Sequence, residues 1–188
     1  GLPAGVQVFS LFDANPQLVD LLIDIVGTSP ALAKYLSRNS AVLDGVIGGA
    51  FFADWPAVDA LRAELTVQLA AEPDYERKLD LTRRWTKEWH FRVGVHHLRG
   101  VISAEEAGTQ YAELAEAVLS ALWPEVAQVF AEKHGPMPGR GAMVLAMGSL
   151  GAGQLNAGSD LDLIVIYDAA GVEMSDGRRP LGARQYYS

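Results

Sequence analysis

Apolar residues recur at helical spacing through the first two-thirds of the chain. Leu18, Leu21, Leu22, Ile25 and Val26 fall on one face of a helix. Asn15-Pro16 supplies its start, with an N-capping side chain and a first-turn proline whose missing donor costs nothing, and Gly27 supplies its stop. Ser29-Pro30 restarts the chain with the same chemistry for a short helix over 31–36. Ser40 is placed to cap a third, ending near Gly48-Gly49. Asp54 is expected to open the next, through Ala57, Leu61, Leu65 and Leu69.

Two long helices follow. The segment from Asp74 to Arg99 sets Leu79, Trp85, Trp89 and Val93 near one face, and Gly100 closes it. Ser103-x-x-Glu106 is a capping-box pattern. The helix it starts turns Tyr111, Leu114, Ala115, Val118 and Leu122 inward. Pro124 is expected to kink or break that helix, since it removes a donor and crowds the preceding turn. His134-Gly135-Pro136 ends the helical region, and short joints between amphipathic helices suggest an antiparallel bundle.

At Gly139 the period changes. Ala142 to Met147 reads as a short apolar strand, followed by a glycine-rich loop. Leu161 to Tyr167 is β-branched and reads as a buried strand ending at Asp168. Residues 171–184 are polar and loop-like. The expected fold is α+β and mostly α: a helical bundle over 1–138, then the opening strands of a small α/β sheet over 139–188.

Composition narrows the function classes. Of 188 residues, 49% are hydrophobic and 20% charged, as in ordinary globular chains, and the formal net charge is -8. That balance repels nucleic acid. No cysteine is present, which excludes a disulfide framework and Cys-ligated zinc and leans toward a reducing compartment. No uninterrupted apolar run reaches about 18 residues, and no charged-then-apolar leader opens the chain. A cytoplasmic protein without membrane or nucleic-acid partners is the expectation.

The chemistry concentrates in Gly148-Ser149 and Asp160-x-Asp162. In a strand, residues two apart point the same way, which sets the two carboxylates about 6.5–7 Å apart. Two such groups repel unless a cation lies between them, and Mg²⁺ takes carboxylates together with phosphate oxygens. Gly148 allows close approach of a ligand to backbone. Ser149 adds a hydroxyl, and the amides of the turn after it can cradle phosphate. Either pair alone is common in ordinary turns. Strand, Gly-Ser, ten residues, Asp-x-Asp and a second apolar strand together point to a metal–nucleotide site.

The histidines do not make a competing metal site: His96 and His97 are adjacent, about 100° apart on a helix, with His90 and His134 scattered. Trp85 and Trp89 read as core. The basic residues of the long helix (Arg77, Lys78, Arg83, Arg84, Lys87, Arg92, Arg99) read as a solvated face paired with Asp74, Glu76, Asp80 and Glu88, or else as a rim for triphosphate or an acidic partner.

Gly148-Ser149 with Asp160-x-Asp162 resembles the signature of the polymerase-β-like nucleotidyltransferase superfamily. The string GSLGAGQLNAGSDLDLIVIYD is similar, more narrowly, to the glutamine-synthetase adenylyltransferases. The helical stretch LFDANPQLVDLLIDIVGTSPALAKYLSRNSAVLD resembles the segment leading into the second, adenylylating half of those bifunctional enzymes. The resemblance implies Mg²⁺, ATP as donor, a tyrosine of glutamine synthetase as acceptor and a PII-type signalling protein as possible regulator. By the same resemblance Asp160 and Asp162 are metal-holding and catalytic, while Gly148 and Ser149 bind nucleotide.

Two departures stand out. The family usually has Lys where this chain has Ser149, which the wider superfamily accepts. Its third carboxylate, the natural candidate for a general base, belongs on a strand beyond the tract Arg184-Gln185-Tyr186-Tyr187. Asp168, about 20 Å along the same strand from Asp162, cannot replace it, and Asp176 lies in a loop. Residues 1–188 alone are therefore expected to be inactive. Uridylyl transfer, transfer to a small molecule, and a non-catalytic docking role remain open alternatives.

Overall fold

A computed structural model describes residues 12–188, apart from 14 and 48. The order of elements is α1 (Pro16–Thr28), α2 (Pro30–Arg38), α3 (Val42–Ile47), a 3₁₀ turn (Ala50–Phe52), α4 (Val58–Ala71), α5 (Tyr75–Leu98), α6 (Ala104–His134), β1 (Gly141–Ala146), α7 (Gly148–Gly151), β2 (Leu163–Asp168) and α8 (Ala183–Tyr186). The architecture is mostly helical with a small antiparallel sheet, an α+β arrangement. Packing groups the chain into two compact units that do not follow chain order: 1–55 with 87–107, and 56–86 with 108–188.

In the first unit, Leu18, Leu21 and Ile25 of α1 join Leu36, Phe51, Phe91 and Val95 in one buried cluster. Ser29 caps α2 by accepting from the Leu32 amide, while Asn15 sits at the N-cap of α1 without a side-chain capping bond. The expected end of the third helix at Gly48 lies outside the described residues. The Ser103–Glu106 capping box forms in both directions: the Glu106 amide donates to Ser103 Oγ (3.1 Å), and the Ser103 amide donates to Glu106 Oε2 (2.7 Å). The Ser103 backbone amide first, and then the Ser103 side chain, hold the Glu106 carboxyl below its usual range.

Two expectations are corrected in the helices. Asp54 does not start α4, which begins at Val58 with Ala57 at its N-cap. The Arg92 guanidinium takes the carbonyls of Ala53 and Asp54, so those peptides serve the α5 contact instead of a helical turn. Pro124 does not break α6, which runs unbroken from Ala104 to His134. Buried Ala121 precedes the proline, and a largely buried ion pair from Lys78 to Glu125 follows it, so packing holds both sides of the missing bond. The expectation about bilayers also needs amending. By length and composition alone α6 is apolar enough to cross a membrane, although Glu113 and Glu116 interrupt it. Its Leu114, Ala117 and Ala121 are core residues of the second unit.

The second unit also holds Leu61, Leu65 and Leu69, fully buried along one face of α4, and Trp85, whose indole donates to Glu64 Oε1 at 2.7 Å. Strands β1 and β2 pair antiparallel in the register Ala146↔Leu163, Val144↔Val165 and Ala142↔Tyr167. Contrary to the buried strand expected, all six residues of β2 are exposed. Among the described residues the two strands pair only with each other, so their apolar side chains lack a full covering layer.

The tract after β2 is more ordered than its polar composition suggests. Gly135 and Gly177 meet backbone to backbone, where a Cβ on either would collide with the other strand of chain. The Arg178 guanidinium and the Arg179 amide donate to the Glu132 and Lys133 carbonyls, filling acceptors that the C-terminus of α6 leaves open. Tyr186 and Tyr187 donate their hydroxyls to the carbonyls of Gly135 (2.8 Å) and Pro138 (2.6 Å). Burial pushes both phenols above their ordinary pKa, which keeps them protonated donors. Tyr187 also stacks on Tyr167 of β2, centroids 4.4 Å apart.

Candidate functional site

The site grows out of the connected end of the strand pair, where residues 147–162 join β1 to β2. Past the last ladder pair, the Met147 amide donates to the Asp162 carbonyl at 2.8 Å, so pairing continues one step beyond β2. The chain then turns at once into α7. Gly148 makes that turn with φ +53°, a left-handed value that side chains disfavour. A Cβ built on Gly148 would lie 2.5 Å from Asp162 Oδ2, closer than any real contact. The positive φ favours glycine here, and the Asp162 carboxylate rests directly against the turn, where an added Cβ would displace it. Gly151 then lets α7 sit on the end of β1, since its Cβ would lie 2.7 Å from the Ala146 carbonyl oxygen.

Asp160 and Asp162 do not lie in β2, as the sequence suggested; they occupy the stretch just before it. Both are exposed, as are Gly148 and Ser149. Neither carboxylate enters an ion pair among the described residues. Of the four residues expected to form the site, the structure brings Gly148 and Asp162 into contact. Asp160 follows a tight turn in which the Gly158 amide donates to Asn156 Oδ1 (3.0 Å) and the Asn156 amide donates to Ser159 Oγ (2.9 Å). The donor set is two carboxylates and a hydroxyl, all hard oxygen ligands, and it suits Mg²⁺ rather than a softer metal. No group of three or more His, Asp or Glu able to hold a metal occurs among the described residues.

Asp168 and Asp176 lie elsewhere. Asp168 closes the opposite end of the hairpin, pairing with the Arg140 guanidinium at 3.1 Å and accepting from the Ala170 amide at 2.8 Å. Asp176 lies where the chain crosses Gly135 at the end of α6.

Sequence reasoning missed how the glycine-rich loop is fastened. The Leu155 amide donates to the Gly108 carbonyl of α6 at 3.0 Å, and Gln154 Nε2 donates to Thr109 Oγ1 at 2.8 Å. Leu155 is buried there. The signal was Gly108 itself: a glycine inside a helix costs about 1 kcal/mol against alanine and marks a close approach.

The remaining cavity of note, about 780 Å³, lies between α6 and the sheet, lined by Ala112, Leu119 and Trp123 on one side and Ala142, Val144 and Leu163 on the other. Register places it on the face away from Asp162. Cross-strand partners share a face, so Asp162 sides with Met147, and Leu163 with Ala146 and the cavity.

Comparison with known proteins adds an independent line. A family model described as glutamate-ammonia ligase adenylyltransferase matches residues 19–188. The chain is 39% identical over 188 residues to the bifunctional glutamine synthetase adenylyltransferase/adenylyl-removing enzyme of Brucella suis biovar 1 (strain 1330), covering 100% of this chain and 19% of that protein. It is 40% identical over 189 residues to the protein of the same name from Mesorhizobium japonicum, again over 100% and 19% of the two chains. The counterpart from Xanthobacter autotrophicus is 40% identical over 186 residues, with 98% and 19% covered. The chain thus spans about a fifth of the length of the curated relatives it matches.

Proposed function

The chain belongs to the glutamate-ammonia ligase adenylyltransferase family, and on that premise we propose that it contributes the nucleotide-binding turn and two acids of a centre that moves AMP from ATP to a tyrosine of glutamine synthetase. The observation that carries this reading is the contact between Gly148 and Asp162. It joins the two halves of the Gly-Ser and Asp-x-Asp pattern in one place, with backbone free to approach a ligand.

In this reading Asp160 and Asp162 would hold Mg²⁺, with its further ligands coming from the substrate and the rest of the polypeptide. When bound, the ion supplies charge neutralisation to the triphosphate. The Gly148 amide and the Ser149 hydroxyl bind the outer phosphates. They hold the α-phosphorus open to in-line attack by the tyrosine oxygen and stabilise the charge that departs on pyrophosphate. Gly148 permits the left-handed turn and leaves room for the Asp162 carboxylate beside it. Ser149 in place of the family's Lys leaves the turn with a neutral donor, and phosphate charge falls to backbone amides and metal. We place the reaction in the cytoplasm, in keeping with the absence of cysteine, with a PII-type protein as a candidate modulator of its rate.

The test is incubation of the full-length protein with labelled ATP and glutamine synthetase, with Asp160→Asn/Asp162→Asn alongside. Label on a synthetase tyrosine, lost in the variant, is the expected result. Equal labelling from UTP, or label on a small-molecule acceptor instead, would overturn the assignment.

A further inference from the structure

We propose that Gly108, Thr109 and Gln154 form a latch that sets the spacing between the Gly148-Ser149 turn and the Asp160/Asp162 pair; Thr109 and Gln154 are thus positioning residues for the transfer reaction proposed above, on which this reading rests. The connection from Ser149 to Asp160 is glycine-rich and exposed along most of its length. Left to itself, a loop of that composition samples many conformations, and the order it lacks must come from tertiary contacts. Beyond α7, where Leu150 is already buried, the structure supplies such contacts midway along. Gln154 Nε2 donates to Thr109 Oγ1 (2.8 Å), the Leu155 amide donates to the Gly108 carbonyl (3.0 Å), and the Leu155 side chain is buried.

Gly108 makes room for this. A Cβ at that position would collide with Gln154 Oε1, lie 3.1 Å from Gln154 Cδ and reach 3.3 Å from the Leu155 carbonyl oxygen. The Gly108 carbonyl stays within α6 and still accepts from the loop, which its second lone pair allows.

Both arms of the site lead back to this point. On one side, the Gln154 amide donates to the Ser149 carbonyl at 2.9 Å, so the residue latched to α6 is also bonded to the nucleotide-binding serine. On the other, Leu155 leads directly into the Asn156–Ser159 turn, closed by the Ser159 amide on the Asn156 carbonyl (3.1 Å) and by the side-chain bonds of Asn156 and Ser159. Asp160 follows at once. With the latch closed, only a tight turn separates α6 from the first acid, and one hydrogen bond separates it from Ser149. With it open, Met147 and Asp162 keep their backbone bond, while Ser149 and Asp160 lose their common reference.

The test uses the full-length protein with Thr109→Val, Gln154→Ala and the conservative Thr109→Ser. Hydrogen exchange of residues 149–160 and transfer of labelled AMP to glutamine synthetase are both followed. Faster exchange at Leu155 in Thr109→Val and Gln154→Ala, a fall of tenfold or more in kcat/KM expressed mainly in kcat, and near-wild-type behaviour of Thr109→Ser support the latch. Unchanged exchange in both disruptive variants overturns it. Faster exchange with kcat/KM within twofold of wild type overturns its part in catalysis. If the unaltered protein transfers no AMP, the adenylyltransferase reading fails by itself, and the latch is judged by its second readout, exchange at Leu155.

Discussion

Replacing Gly148 with alanine separates backbone strain from carboxylate placement. Alanine at φ +53° carries the left-handed penalty of roughly 1–2 kcal/mol. Its Cβ would also lie 2.5 Å from Asp162 Oδ2, whereas ordinary van der Waals contact starts near 3.4 Å. The carboxylate must therefore retreat by about 1 Å, a displacement able to cost about 10²-fold in rate at a positioned site. In barrier terms that is about 2.7 kcal/mol. Gly153→Ala is the matched control: φ is +70°, and nothing lies within 4 Å of the added Cβ, so it has strain without the collision. Both variants, made in the full-length protein, are assayed for transfer of labelled AMP to glutamine synthetase at saturating and limiting Mg·ATP. Gly148→Ala is expected to lose about two orders of magnitude in kcat/KM, and Gly153→Ala only a few-fold. Equal losses would assign the effect to backbone strain, and a Gly148→Ala enzyme within threefold of wild type would refute the Asp162 contact as a functional constraint.

Three further outcomes follow from the structure. Calorimetry of the full-length protein with Mg·ATP should show the affinity of Asp160→Asn/Asp162→Asn reduced at least tenfold, about 1.4 kcal/mol, and an unchanged value removes the metal-site assignment. Gly177→Ala would place a Cβ on the backbone of His134 and Gly135, with an overpacking cost of about 1–3 kcal/mol; an unaltered melting temperature would show that the tract does not dock there. His96 is buried with Nε2 donating to the Phe51 carbonyl (2.7 Å), and burial, reinforced by Arg92, sets its pKa below 6.5 against the opposing effect of that bond. A depressed histidine favours the folded state above the unfolded pKa and loses that preference as pH falls below about 6.5, by at most about 1.4 kcal/mol per pH unit. His90 is lowered too, by burial, so the measurement is the difference in melting temperature between wild type and His96→Gln from pH 7 to 5; parallel curves would exclude His96.

What could be read from sequence was what local chemistry decides. The Ser103–Glu106 box formed because its two bonds close within one helical turn, and Ser29 capped α2 for the same reason. The start of α4 was misread because the decisive partner, Arg92, lies far along the chain and captures the carbonyls of Ala53 and Asp54. Pro124 was misread in the opposite sense: its local effect is disruptive, but the contacts around it hold α6 together. At the site, the residue types of Gly148 and Asp162 pointed to a shared location because their spacing matches strand, turn and returning strand. The docking of Gln154 and Leu155 onto α6 was not legible, since polar residues in a glycine-rich loop look alike whether latched or solvated. The backbone meeting of Gly135 and Gly177 was hidden for the same reason.

The exposed acids and the exposed apolar strand follow from one geometric fact. Antiparallel register makes Asp162 the partner of Met147 and Leu163 the partner of Ala146, so a single step along the chain switches faces. The face bearing Asp162 also carries Leu145, Ile164 and Ile166, all well exposed, while the other face, with Val144 and Leu163, looks into the cavity beside α6. A substitution at Leu119 acts where the cavity meets Ala142, Val144 and Leu163 of the strands, although Thr109, Leu150 and Gly153 line the same cavity. A substitution at Thr109 or Gln154 can reach Ser149 and Asp160 through the loop with the ladder intact. A change at Leu119 should alter the protection of β1 and β2 amides before it alters Leu155, and a change at Gln154, which does not line the cavity, should do the reverse.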